Sequence, residues 1–189
     1  MRNVIARTPA VLGVTAAVAA ATVTTAGAAT PDGGHTAQVR GAAHLDWDGE
    51  HTGPWKSDLW IGVDGARATY PDAVAVVPSA ASGTVRVKHR FWNTETRQEM
   101  TAWFNLDVDC VAVGGPVATI TGIVNQQHSP DQAFLEGVRV GLTVYTGAGE
   151  QPGRVGALRA GTRDAQIPLC ASTAPAWPVK QGGYKVRDR

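Results

Sequence analysis

The sequence predicts an all-β protein: a single domain, an antiparallel β-barrel or β-sandwich, behind an N-terminal signal peptide. Two observations predict the fold class. Short segments that alternate apolar and polar residues recur along the chain, separated by Gly, Pro, Asp and Asn. No segment carries a sustained 3.6-residue apolar period with caps, and only DQAFLEGV (131–138) resembles a helical turn. Eight or so short strands with frequent turn residues are typical of barrels and sandwiches.

Alternation in the first half of the domain marks its first strands. The segments 37–47 and 58–65 are expected to be strands, with a Gly- and Pro-containing loop between them. The short apolar run DAVAVVP (72–78) is a further strand candidate. In 83–92 the alternation is regular, and one face carries Val85, Val87 and His89.

The strongest signal is TAWFNLDVDCVAV (101–113), in which a period of 2 with polar residues on one side predicts a half-buried antiparallel strand. GGP then turns the chain, and VATITGIVN (117–125) returns with many β-branched residues. Asp107 and Asp109 fall on the face expected to stay solvated. The face expected to point to the core carries Phe104, Leu106, Val108, Cys110 and Ala112.

The remaining strands are predicted with less regular patterns. VRVGLTVYT (138–146) alternates well, whereas RVGAL (154–158) and AQIPL (165–169) are short. GYKVRD (183–188) is placed to close the sheet.

The N-terminus has the layout of a secretory signal peptide, predicted to span residues 1–28. Arg2 and Arg7 form a basic head, an uncharged apolar stretch follows, and Ala26-Gly27-Ala28 supplies small residues for cleavage. The alternative is a transmembrane anchor, but the apolar part is about a dozen residues where a spanning helix needs roughly 20. We therefore expect a secreted protein without a membrane span, with a flexible lead-in at 29–36 and the domain at 37–189.

Charge gives no sign of a nucleic-acid partner. Removing Arg2 and Arg7 lowers the basic count from 17 to 15, against 16 acidic residues. No long basic run stands out, and non-specific nucleic-acid binding needs a patch of Lys and Arg that neutralises phosphates. We expect no nucleic-acid binding.

The two cysteines, Cys110 and Cys170, both remain after signal cleavage. An even count in an exported chain favours a disulfide. Two free thiols, a metal ligand or a reactive thiol are the alternatives. A reactive thiol needs an electropositive setting, which Asp107 and Asp109 disfavour if they are near. The disulfide predicts that the C-terminal part of the chain is held against the strand of Cys110.

The stretch HLDWDGEH combines His44, Asp46, Asp48, Glu50 and His51, a conceivable cation site. A calcium loop needs oxygen ligands at alternate positions, then Gly and a distant Glu, and zinc favours His and Cys at tighter spacing. The stretch meets neither pattern. It is interpreted as a solvated strand face running into a polar loop, and we predict no metal and no cofactor.

Tryptophan is common relative to the other aromatic residues, with six Trp against three Phe and three Tyr. Exposed Trp on a β surface can stack on sugar rings or other flat ligands, whereas buried Trp packs the core or the barrel ends. Both roles remain open. The candidates for contact with a glycan or small-molecule ligand are Trp47, Trp55, Trp60, Trp92 and Trp103.

No catalytic motif is found. The sequence has no Gly-x-Ser-x-Gly elbow, and its Gly-rich stretch TGAGEQPGR lacks the Lys-Ser/Thr of a phosphate-binding loop. His128, Ser129 and Asp131 are adjacent in sequence, but catalytic triads form by convergence in space. We assign no catalytic residues and expect a protein that is not an enzyme.

Three blocks of the chain resemble a group of small secreted actinomycete proteins that have no assigned activity. They are VDCVAVGGPVATITGIV (108–124), VRVGLTVYTGAGEQPGRVG (138–156) and LCASTAPAWPVKQGGYKVRD (169–188). The chain differs from the group at Thr146-Gly147 and at Gly153, where the group carries acidic residues or Asn. The resemblance implies a β fold and secretion, and it implies no catalytic residues.

The leading functional hypothesis is a secreted, non-enzymatic binding or structural module of the extracellular space or cell envelope. The first alternative is a barrel that binds a small ligand or carbohydrate with its Trp side chains. The second is a hydrolase with dispersed acidic residues.

Overall fold

The computed structural model describes residues 33–45, 53–129, 136–159 and 166–189. These residues form eight β-strands and no helix, which confirms the predicted all-β class. In chain order the strands are β1 (His35–Leu45), β2 (Trp55–Tyr70), β3 (Ala80–Asn93), β4 (Glu99–Gly114), β5 (Val117–His128), β6 (Arg139–Tyr145), β7 (Arg154–Arg159) and β8 (Trp177–Asp188).

The strands form one antiparallel sheet that closes on itself. Each strand pairs with the next along the chain, and β8 returns to pair with β1. The result is an up-and-down barrel, in which closure removes the exposed sheet edges. Of the barrel and the sandwich that the sequence leaves open, the structure has the barrel.

Alternating apolar residues fill the barrel interior. Along β2, for example, Leu59, Ile61 and Val63 are buried, whereas the residues between them are more exposed. Large side chains that are fully buried include Val39, Val85, Leu106, Ile120 and Val144.

The two ends of the barrel are named as follows. Strands β2, β4, β6 and β8 begin at one end, which we call the cavity end because an interior cavity, described below, lies toward it. The other end is called the opposite end.

Two strand predictions were wrong. Residues 72–78 lie in the loop between β2 and β3, where Val74 and Val76 are more than four-fifths exposed, at 81% and 82%. The Asp72 carboxylate accepts a hydrogen bond from the Val74 backbone N–H at 2.9 Å, which is a turn rather than a strand geometry. Residues 166–169 form no strand either. The helical-looking stretch 131–138 lies mostly outside the described residues.

A bulge in β4 changes the face on which the cysteine lies. Val108 and Cys110 pair with adjacent residues of β5, so Asp109 is the extra residue. Beyond the bulge, Val111 rather than Cys110 belongs to the interior core. The predicted inward direction of Cys110 is therefore wrong: it lies on the outer side of the wall, across from Thr121.

Residues 166–176, the C-terminal segment, pack against this outer side and bury Cys110 completely. Arg139 on β6 connects the two parts. Its Nε donates to Asp109 Oδ2 at 2.8 Å, and its guanidinium also donates to the Ile167 carbonyl at 3.0 Å. The Cys170 backbone N–H donates to Thr121 Oγ1 at 3.2 Å. Asp109, expected to be solvated, is thus an anchor beneath the segment.

The predicted disulfide is present. Cys110 and Cys170 are joined, with their Cα atoms 5.4 Å apart across a sequence separation of 60, within the usual range for disulfides. The Tyr70 hydroxyl lies 3.5 Å and 3.7 Å from the two sulfurs and donates to the Val111 carbonyl at 3.0 Å. The bond therefore fixes the C-terminal segment to β4, as the sequence predicts.

The seam between β7 and β8 is short. In the described part of the chain these strands share only two residue pairs. Ahead of β8, the Ala176 backbone N–H donates to the Val155 carbonyl at 3.0 Å, and the Thr173 hydroxyl donates to the Ala157 carbonyl at 3.2 Å. The C-terminal segment thereby completes the wall beside β7.

Candidate functional site

A cavity of about 340 Å³ lies inside the barrel toward the cavity end. Eight-stranded barrels are just wide enough to be filled by side chains or to hold one small ligand. Six strands supply the lining, because the inward positions of each strand converge at this level. The described lining consists of Leu59, Ile61, Val87, His89, Phe104, Val140, Leu142, Ala157, Arg159 and Trp177.

The chemistry of this lining is apolar with two basic residues. His89 lies on the inward face of β3, and its ring contacts that of Phe91 at a centroid distance of 3.8 Å. Arg159 is exposed at the end of β7, so the cavity reaches solvent beside it. The described lining holds no carboxylate and no thiol. Such a surface can bind an apolar molecule and orient a polar group on it, but it offers no acid–base pair.

Two buried polar atoms lie next to the cavity lining. Ser57 precedes Leu59 on the inner face of β2 and is 3% exposed, and Gln127 pairs directly with Phe104. Within the described residues, Ser57 Oγ and Gln127 Oε1 have no hydrogen-bond partner. Buried polar atoms are nearly always satisfied, often by water or a bound molecule. Neither residue lines the cavity, so these two atoms lie behind its wall.

Tyr184 is buried in the barrel core beside Ile61, which lines the cavity. Its hydroxyl donates to the Ile61 carbonyl at 2.9 Å, and the residue is 7% exposed. Burial raises the pKa of this phenol well above its usual value, because the charged phenolate would lose its hydration. Tyr184 therefore stays neutral and serves as a structural donor.

A larger depression of about 700 Å³ lies at the opposite end. Its walls are the exposed β2–β3 loop, the end of β4 and the last two residues of the chain. His35 stacks on Tyr70 there at 4.6 Å. This depression is broad and open, whereas the smaller cavity is set into the barrel interior, so we take the cavity as the stronger candidate for a small ligand.

The structure separates the tryptophans predicted to contact a ligand. Trp60 and Trp103 come together on the outer wall of the barrel, on either side of Lys88. Trp55 and Trp92 lie at the cavity-end rim of β2 and β3, with the Arg90 guanidinium 5.4 Å from the Trp92 ring. Trp47 lies outside the described residues.

The polar cluster near the start of the domain lies only partly within the described residues. His44 Nε2 lies 2.9 Å from Asp58 Oδ1, and both side chains are partly buried. Asp46, Asp48, Glu50 and His51 fall outside the described residues. Among the residues that are described, no three His, Cys, Asp or Glu side chains converge in a way that could hold a metal ion.

Sequence analysis missed Trp177 as a candidate for ligand contact. Trp177 begins β8 opposite Val155 at the short seam and lines the cavity. Its neighbours Ala176 and Pro178 give no alternating pattern, so nothing in the sequence marks it as inward-facing. The position of His89 could be predicted, because it shares the apolar face of β3 with Val85 and Val87.

Comparisons with protein-family models, with curated proteins and with solved structures find no match to this chain. Because no relative is found, the site must be interpreted from its own geometry.

The described residues include no helix of the length and apolarity needed to cross a membrane.

Proposed function

We propose that this protein is an exported, non-enzymatic binding barrel that takes a small, mostly apolar molecule into its interior cavity. The observation that carries the proposal is the cavity itself: about 340 Å³, set into a closed barrel and lined mainly by apolar side chains. Ligand pockets are commonly about 300–1,000 Å³ and apolar, with a few polar groups that fix orientation.

The polar groups near the cavity suggest how a guest would be oriented. Its apolar part would contact Val140, Leu142 and Phe104, while a carbonyl or carboxylate would point toward Arg159 at the exposed end of β7. An uncharged or singly acidic, ring-containing molecule fits this set.

Export is supported by the predicted signal peptide and by the disulfide, since disulfides persist mainly in oxidising compartments. A binding role is preferred to catalysis because the described cavity lining has neither a nucleophile nor a carboxylate to work with His89.

The test is a titration of the secreted form with N-phenyl-1-naphthylamine, a neutral fluorophore that brightens in apolar sites. We expect saturable binding of one molecule per chain. Ala157→Phe, which fills the cavity, should abolish binding, whereas Ala73→Phe in the exposed β2–β3 loop adds the same volume outside the barrel and should leave binding unchanged. Undiminished binding by a folded Ala157→Phe variant, or no saturable binding by the parent protein, would overturn the proposal.

A further inference from the structure

A row of aromatic and basic side chains crosses the outer wall of the barrel, away from the cavity. The strand register places five residues in direct succession on neighbouring strands, so they share one face. Trp60 is the partner of both His44 and Lys88, and Trp103 is the partner of both Lys88 and His128. The row is therefore His44, Trp60, Lys88, Trp103 and His128.

Each tryptophan of this row is exposed yet supported from the side. Trp60 is 42% and Trp103 37% exposed, the largest exposures among the described aromatic residues. The His44 ring stacks on Trp60 with centroids 4.2 Å apart and planes 4° from parallel, and Asp58 holds His44 in place. His128 lies 6.4 Å from Trp103 on the far side of the row. The indoles are thus held in place before any ligand arrives.

A groove of about 370 Å³ lies between the two indoles. Gly62 helps to form its floor, and because Gly62 has no side chain, the space beside Trp60 stays open. Arg86 and Asn105 bring polar groups to the same groove. The two tryptophans are separated by two strand spacings, roughly 10 Å, which leaves room for ring-shaped units to lie across the wall.

The groove lining carries two basic side chains. Its described lining includes Arg86 and Lys88 and no carboxylate. Within the described residues Lys88 forms no salt bridge, although it helps Arg90 to lower the pKa of the nearby Glu99 carboxyl, and Arg86 pairs with the highly exposed Asp64 at 3.8 Å. By contrast, Arg90 on the same strand is already held by Glu99 through two hydrogen bonds, at 2.7 Å and 2.9 Å.

We propose that this groove binds an acidic saccharide, with sugar rings on Trp60 and Trp103 and a carboxylate on Lys88. A pyranose has an apolar C–H face that stacks on an indole and a polar rim of hydroxyls. That combination matches flat aromatic faces beside the amide of Asn105 and the guanidinium of Arg86. A purely apolar ligand would instead strip water from Lys88 and Arg86 without compensation.

Calorimetric titration of the secreted form with tetragalacturonate, beside its fully methyl-esterified and therefore neutral form, tests this inference. Tetragalacturonate should bind about tenfold or more tightly than the methyl ester, because a close contact of opposite charges adds to stacking. Lys88→Gln should bring the affinity for tetragalacturonate down to that for the methyl ester. Lys185→Gln, which removes an exposed lysine from β8, is the matched control and should change nothing.

Gly62→Val locates the site without weakening the fold. A Cβ at Gly62 meets only the Arg86 carbonyl, at 4.0 Å, so the added side chain enters the groove rather than the wall. The variant should keep or slightly raise its urea midpoint and lose saccharide binding. Ala157→Phe should still bind tetragalacturonate, which makes this result independent of the interior cavity. Equal binding of both saccharides, no binding of either, or full binding by folded Gly62→Val would overturn the inference.

Discussion

Arg139 Nε lies 2.8 Å from Asp109 Oδ2, and this ion pair joins the bulge of β4 to the segment that covers it. Both side chains are only 24% exposed, and Thr121 also donates to the Asp109 carboxylate. The pair is therefore screened less than the contacts on the barrel surface.

Arg139→Ala should lower the free energy of unfolding by about 1–3 kcal/mol, because it leaves the partly buried Asp109 carboxylate short of a charged donor. The matched control is Arg86→Ala, whose partner Asp64 is 3.8 Å away and 74% exposed. Exposed pairs of this kind contribute little, so the control should change stability by less than about 0.5 kcal/mol. Urea denaturation of both variants measures the difference; equal losses would argue against the anchor.

Two strand glycines should respond oppositely to the same substitution. In Gly141→Ala the new Cβ would collide with the backbone of Ala171, so the C-terminal segment must shift, at a cost of about 1–3 kcal/mol. Gly62→Ala meets no atom closer than 4.0 Å and should gain roughly 0.5 kcal/mol from the lower entropy of the unfolded chain. Thermal unfolding compares them, and a stable Gly141→Ala variant would mean that the segment is not packed there.

Alkaline stability should depend on Tyr184. Burial raises the pKa of this phenol in the folded state, while the unfolded chain has a value of about 10. The folded state therefore holds the proton more tightly, and its contribution to stability is complete below about pH 10 and falls as the pH rises further. Urea midpoints between pH 8 and pH 11 should fall in the parent protein and fall less in Tyr184→Phe. If the urea midpoints of the parent protein and of Tyr184→Phe fall equally with pH, the ionisation of Tyr184 is not the cause of the alkaline loss of stability.

The same Tyr184→Phe variant should also be less stable at neutral pH, by about 1 kcal/mol, because the buried Ile61 carbonyl loses its donor. This loss at pH 7 distinguishes the hydrogen bond from the ionisation, which acts only at alkaline pH.

The disulfide should account for much of the stability. Closing a loop of 60 residues removes chain entropy worth about 4 kcal/mol from the unfolded state. Reduction should lower the urea midpoint of the parent protein and leave a Cys110→Ala/Cys170→Ala double variant unaffected. Mass measurement after alkylation in denaturant, without reductant, should find no modified thiol. Two alkylated cysteines in the unreduced protein would contradict the bond.

The fold class could be predicted because period-2 alternation is a local property of each strand. The failures arose where local pattern and tertiary position diverge. Val74 and Val76 look like strand residues, but the turn that Asp72 caps leaves them exposed. The bulge at Asp109 shifts the alternation by one residue, and nothing in LDVDCVAV marks where the extra residue falls.

The candidate sites were predictable only in part. Tryptophan content pointed to ligand contact, and Trp60 and Trp103 do lie on an exposed surface. The register of three strands places Trp60 and Trp103 on either side of Lys88. Bulges and loop lengths set that register, and no single segment of the sequence encodes it. Trp177 lines the cavity through a short, irregular seam, so its role could be found only in the structure.

The central claim is that the barrel interior, rather than its surface, holds the small ligand. Intermolecular nuclear Overhauser effects between N-phenyl-1-naphthylamine and methyl-labelled protein test it most directly. We predict contacts to the methyl groups of Val140 and Leu142 in the cavity lining, and none to those of Val74 and Val76 in the exposed loop. Contacts confined to the loop methyls, with none to Val140 or Leu142, would contradict the claim.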